Sequence, residues 1–127
     1  QWKMLQQENP EDFVIATGRQ ESVRKFIELS AKELGWEGII WEGKGIDEIG
    51  RRADTNEIVI KIDKKYFRPC EVNSLLGDAN KANKKLGWLP KTTLEELVSD
   101  MIKSDLDLAK KESLLKNKGY EISFTKD

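Results

Sequence analysis

The chain has 127 residues, 22 Lys and Arg against 23 Asp and Glu, one Cys and no His. That length predicts one domain burying roughly two thirds of its unfolded surface around a single core, without disulfides. A formal net charge of -1 supplies no basic field for nucleic acid, so any phosphate recognition has to be local.

A lone Cys70 excludes an intrachain disulfide, and without His there is no Cys/His zinc site. A reducing, cytoplasmic setting is the expectation. No apolar run approaches the ~20 residues that cross a bilayer, and the N-terminus lacks a signal-peptide pattern, so no membrane partner is expected. The chain opens with Gln1-Trp2-Lys3-Met4-Leu5, without an initiator Met and inside a helical pattern, which reads as a piece of something longer.

In chain order, residues 2–8 predict the end of a helix stopped at Asn9-Pro10, because proline disfavours helical geometry in the residue before it. Phe13-Val14-Ile15-Ala16 predicts a short strand, and Gly18 a turn. Ser22 is placed to cap a helix whose apolar face is Val23, Phe26, Ile27, Ala31 and Leu34, ending at Gly35. Ile39-Ile40-Trp41 predicts a buried strand. Gly43 to Ala53, glycine-rich and charged, predicts a loop, and Asp54-Thr55-Asn56 a turn.

Ile58, Ile60 and Ile62 alternate with Val59, Lys61 and Asp63, the pattern of a sheet edge or a one-sided sheet. Pro69 suits the first position of a short helix closed by Gly77. Asp78 then caps a second helix through Leu86. Thr93 and Glu96 have capping-box spacing, and Leu94, Leu97, Val98, Met101 and Ile102 form the stripe of a last helix reaching Lys111 or beyond. Interleaved strands and helices predict a small mixed α/β unit with few short strands.

Most motifs dissolve on inspection. Gly38 to Gly45 comes near a phosphate loop, but Gly45 replaces the Ser or Thr that would hold magnesium, and Ile39-Ile40-Trp41 is too apolar. A buried strand followed by a turn is the better reading. Gly35 and Gly38 lack the third glycine of a dinucleotide fingerprint, since Trp41 stands there. Without His no Ser/His or Cys/His nucleophile can be built, and Cys70 reads as a small packed residue. Arg51-Arg52 is either a phosphate clamp or, more simply, two solvated loop charges. The tryptophans at 2, 36, 41 and 88 read as core or subunit-contact residues, not a base-stacking platform.

Arg68 and Glu71 stand apart, since they flank Pro69 and Cys70 at a predicted helix start. A guanidinium grips phosphate oxygens bidentately, and helix N-terminal amides add donors. Glu71 suits a ribose diol, where each hydroxyl bond to an ionised carboxylate is worth about 1.5 to 3 kcal/mol. The competing reading is an intrahelical pair worth about 0.2 to 0.5 kcal/mol. Physical chemistry alone leaves the two open.

The sequence resembles the C-terminal part of the GDP-mannose 4,6-dehydratases, which are extended short-chain dehydrogenase/reductases. The resemblance rests on Met4 to Gln7, Phe13 to Gly18, Ser22 to Phe26, Trp41-Glu42-Gly43, Tyr66 to Val72, Leu75 to Asp78, Lys81-Ala82 and Lys85 to Trp88. The tail, with Ala109 to Lys111, Leu114 to Lys116 and Gly119-Tyr120, looks like bacterial members.

The resemblance implies a substrate-binding subdomain at residues 19–127, with residues 1–18 forming the edge of a cofactor domain that is not part of this sequence. It implies Arg68 and Glu71 on the GDP end of GDP-mannose. It further implies NADP bound by the rest of the parent enzyme and a homo-oligomer as the assembly. The family's glycine-rich loop, Tyr-x-x-x-Lys pair and catalytic Thr and Glu find no counterpart here, so this chain by itself is expected to be inactive. A noncatalytic binding or assembly module of the same fold is the alternative.

Overall fold

A computed structural model describes residues 1–68 and 74–120. Its described elements are α1 (Trp2–Leu5), α2 (Val23–Glu33), β1 (Ile39–Glu42), β2 (Ile49–Arg52), β3 (Ile58–Lys61), α3 (Asn80–Leu86) and α4 (Leu94–Asn117), with a short 3-10 turn at Gly45–Asp47. The three strands form one antiparallel sheet in the order β1-β2-β3. This is the expected small mixed α/β unit. Among the described residues no helix is long and apolar enough to cross a membrane.

Helix boundaries follow the capping chemistry. The Ser22 side chain accepts a hydrogen bond from the Lys25 amide at 3.1 Å, which starts α2. Thr93 and Glu96 form the full reciprocal capping box of α4, with the Thr93 amide donating to Glu96 Oε2 at 2.8 Å. Asp78 Oδ1 accepts from the Asn80 amide at 2.8 Å at the start of α3, and Gly87 closes that helix in the left-handed region. Thr93→Ala is expected to destabilise the fold by about 1 kcal/mol, as read from a denaturant midpoint, because it removes one of these side-chain acceptors.

Three expectations need correction. Ile49–Arg52 is a strand and not part of a loop: it lies in the centre of the sheet, pairing Trp41 with Gly50 on one side and Gly50 with Ile60 on the other. Gly50 is buried, and a side chain there would meet Ile60 Cβ at 3.0 Å and Ile39 Cγ2 at 3.1 Å. The neighbouring isoleucines occupy the space that glycine leaves, which explains a glycine inside a strand. Phe13 to Ala16 forms no strand, since no ladder partner runs beside it among the described residues. The third correction concerns 69–77: Ser74 to Ala79 is not helical, while Pro69, Cys70, Glu71, Val72 and Asn73 lie outside the described residues. α1 also stops earlier than expected, at Leu5.

Packing is thin. Among the described residues the buried apolar ones are Ala31, Ala82, Leu86 and Val98. α2 and α4 pack together, each with one buried residue, Ala31 and Val98, and Ser99 Oγ donates to Glu33 Oε1 at 2.9 Å between the same helices. Val23, expected on the buried face of α2, is 76% exposed. The tryptophans are not core either: Trp2 is exposed, and Trp36, Trp41 and Trp88 are half-buried.

The total accessible surface is 10908 Å², against ~6,900 Å² for a self-contained monomer of this mass. The chain buries about half of its extended-chain surface and not the two thirds expected from length. Part of the excess comes from α4, where every residue from Lys103 to Lys111 is exposed. Another part is apolar surface on the N-terminal segment and the loops that flank it, including Val14, Ile15, Leu75, Leu76 and Leu89.

Candidate functional site

Arg68 lies on the stretch that leaves β3. The Tyr66 amide donates to the Asp63 carbonyl at 3.0 Å, and Asp63 Oδ1 accepts from the Lys65 amide at 2.9 Å. This tight turn redirects the chain at the end of the sheet. Arg68 follows it, exposed, with no hydrogen bond or ion pair to any other described residue. Glu71 lies outside the described residues.

The described chain resumes at Ser74, where it is tied to a fixed point. Gln20 Oε1 accepts from Ser74 Oγ at 2.9 Å and from the Leu75 amide at 3.2 Å. Two residues further on, a Cβ on Gly77 would come within 2.6 Å of Ala16 Cβ, so glycine is what lets the two segments touch. Neither Gln20 nor Gly77 stood out in the sequence as a contact residue. Gln20 is one polar residue beside a helix cap, and Gly77 reads equally well as a helix stop.

Beside this junction runs an open groove of about 720 Å³, lined by residues 15–17 and 87–92 with Lys3 and Leu97. A second concavity of about 500 Å³ shares residues 16–17 and 88–90 and extends along residues 76–80. Ile15, Trp88 and Leu89 give it apolar walls, and Asn83, Asp78 and Thr17 give it polar groups. Ligand sites commonly combine a mostly apolar cleft of this size with a few polar groups. Arg68 lines neither concavity.

The other sequence candidates are engaged in holding the fold. Arg51 pairs with Glu42 across the strands at 3.1 Å and donates to the Asn56 carbonyl at 3.2 Å. Arg52 grips Asp54 through two hydrogen bonds, of 2.9 and 2.6 Å, while its guanidinium stacks on Trp36 at 4.3 Å. Hydrogen bonding between them raises the Arg52 pKa and lowers that of Asp54. A phosphate would have to displace an internal carboxylate to reach Arg52, so neither arginine is a free clamp. Arg24 is similarly used, ion-paired with Glu48 and lying over the Trp41 ring at 5.2 Å.

Glu11 accepts hydrogen bonds from Lys85 and Lys81 of α3, which hold its carboxyl below the usual carboxylate range. Lys81 also lies over the Phe13 ring at 5.0 Å and donates to the Asp12 carbonyl at 2.8 Å. These contacts fasten residues 11–13 to α3 and so fix one wall of the groove.

The glycines do not form a dinucleotide site. Gly35 ends α2 and Gly38 precedes β1, with φ of +76° and +133°. That is helix then strand, the reverse of the strand-turn-helix order whose helix N-terminus receives a pyrophosphate. The near phosphate loop is likewise strand β1 followed by a turn.

The sequence profile of the GDP-mannose 4,6 dehydratases matches residues 1–101. The chain belongs to that family. It is 50% identical to the GDP-mannose 4,6-dehydratase of Yersinia enterocolitica over 98% of its own length and 36% of that protein. It is also 50% identical to a GDP-mannose 4,6-dehydratase of Vibrio cholerae, over 97% of this chain and 35% of the other. The Drosophila melanogaster GDP-mannose 4,6 dehydratase is 53% identical over 87% of this chain and 28% of its own length. The chain thus spans about a third of the length of the dehydratases that it matches.

Proposed function

We propose that this chain is the C-terminal substrate-binding portion of an NADP-dependent enzyme that converts GDP-mannose to GDP-4-keto-6-deoxymannose. Residues 19–127 bind the nucleotide sugar, and residues 1–18 form the edge of the cofactor domain. The carrying observation is the half-identity to proteins of that name over nearly the whole chain. Arg68 holds the diphosphate, because it is a fixed-charge fork exposed to solvent and, among the described residues, uncommitted. Glu71 accepts from the ribose hydroxyls.

The work of these residues is binding, orientation and exclusion of water. Pinning of Ser74 and Leu75 to Gln20 keeps residues 74–77 beside the groove, whose apolar walls shelter the ligand. NADP supplies the hydride transfer and sits on the remainder of the polypeptide, since the glycines here do not fit it. The cytoplasm, where single cysteines stay reduced, is the proposed location.

The purified 127-residue chain, given NADP and GDP-mannose, is expected to give no 4-keto-6-deoxy product by mass spectrometry, while the full-length polypeptide does. Turnover by the short chain overturns the division of labour. Inactivity of both favours the second reading, a noncatalytic module of the same fold, to which the large apolar surface around Val14, Leu75 and Leu89 also lends itself.

A further inference from the structure

The far half of α4 carries a pattern that nothing in the described fold uses. α2 packs against α4, with Ser99 of the near half donating to Glu33, and Val98 is the buried residue of that half. Beyond Ile102 the helix runs exposed, with Glu112 alone half-buried up to its end at Asn117. Met101, Leu108 and Leu115 recur at seven-residue spacing and are 42%, 56% and 42% exposed. At ~100° per residue this seam lies roughly 80° around the helix from Val98, on its flank and outside the buried face. Seven-residue apolar spacing is what a helix presents to another helix lying nearly parallel or antiparallel to it.

The charges name the partner. From Leu94 to Asp107 there are five acids against one lysine, and from Leu108 to Lys118 four lysines against one acid. A parallel copy would set like charge against like. An antiparallel copy sets the acidic half of each helix against the basic half of the other. With the two-fold axis at Leu108 the register is self-complementary throughout. Leu108 meets its own counterpart, Met101 meets Leu115, and Asp105 faces Lys111 twice, flanking the seam. Among the described residues neither Asp105 nor Lys111 has an ion pair within its own chain.

We infer that α4 is a self-association element, pairing antiparallel with α4 of a second copy of this chain about a two-fold axis at Leu108. A closed two-fold pair requires one patch complementary to itself, and this patch is. Three apolar layers and two ion pairs make a seam well below about 1,000 Å², so it is weak alone and adds to whatever other contacts an assembly has. This inference does not depend on the GDP site.

Because the contact is small, it is best read by cross-linking. In the full-length protein, with Cys70 replaced by Ser, Leu108→Cys is expected under mild oxidation to give at least tenfold more 108–108 disulfide, by mass spectrometry, than Lys110→Cys gives 110–110. Residue 110 lies on the far side of the helix. In the Leu108→Cys background, Asp105→Lys alone and Lys111→Asp alone each lower the yield several-fold, and the two together restore it. Equal yields at 108 and 110, or no restoration by the double reversal, overturn the inference. So does a residue 108 thiol that neither links nor reacts with a maleimide, which would show that another part of the same polypeptide covers the seam.

Discussion

Replacing Arg68 by alanine in the full-length enzyme weakens GDP binding by more than tenfold, as measured by titration calorimetry. A tenfold change corresponds to about 1.4 kcal/mol. One charge-assisted hydrogen bond contributes about 1.5 to 3 kcal/mol, and a guanidinium offers phosphate two in parallel. The lower bound allows for the exposure of Arg68. Guanosine, which lacks the diphosphate, should bind the variant as well as it binds the parent. Lysine at 68 should recover part of the loss, since it restores the charge without the fork. An unchanged GDP dissociation constant removes the diphosphate role, and an equal loss for guanosine assigns Arg68 to shaping the site instead of touching phosphate.

The second large effect lies in the sheet. Gly43 has φ of +78°, and a Cβ built on it overlaps the carbonyl oxygen of Asp47 and lies 3.0 Å from its carbon. Both atoms are backbone in the 3-10 turn joining β1 to β2, so neither can rotate away. Gly43→Ala therefore combines an unfavourable left-handed conformation, about 1 to 2 kcal/mol, with overpacking of similar size. A loss of roughly 3 kcal/mol is expected from denaturant unfolding. Gly45→Ala is the control: φ is +58° with no atom within 4 Å of the added carbon, so only the conformational part applies. Equal losses at both positions would show that the close approach to Asp47 does not matter.

What was legible in the sequence was chiefly local. Ser22, Thr93 and Glu96 satisfy helix-end amides as their spacing implies, whereas Asp78, expected as the cap of α3, sits one residue outside it and bonds the Asn80 amide while Ala79 holds the cap position. β1 and β3 were legible from their isoleucines. β2 was not, because Gly50 suits a strand only when Ile39 and Ile60 fill the space around it, and that is a fact about two other strands. Arg51 and Arg52 illustrate the same limit. As sequence they are adjacent cations on a loop, whereas Glu42 and Trp36, which engage them, become neighbours only once the sheet and its flanks form.

For the candidate site, the sequence offers Arg68 by type and by its neighbours in the chain, and its role is the proposal made above. The Gln20 anchor spans 54 residues to Ser74, and nothing in either local sequence announces it. Phe13 to Ala16 has the composition of a strand, and a strand also needs a ladder partner, which no described residue provides. Of the two readings of the tryptophans, core or subunit contact, the first fails, since a large aromatic marks surface that wants covering without saying which chain covers it.

The excess of exposed surface bears on motion. Two units joined across a small polar contact rock freely, and such hinging is the usual way to admit a substrate. The exposed apolar surface of Val14, Ile15, Leu75, Leu76 and Leu89 has another character, because parting an apolar contact made there would expose all of it to water at once. A partner covering these side chains would be held more rigidly than one that meets a small polar contact.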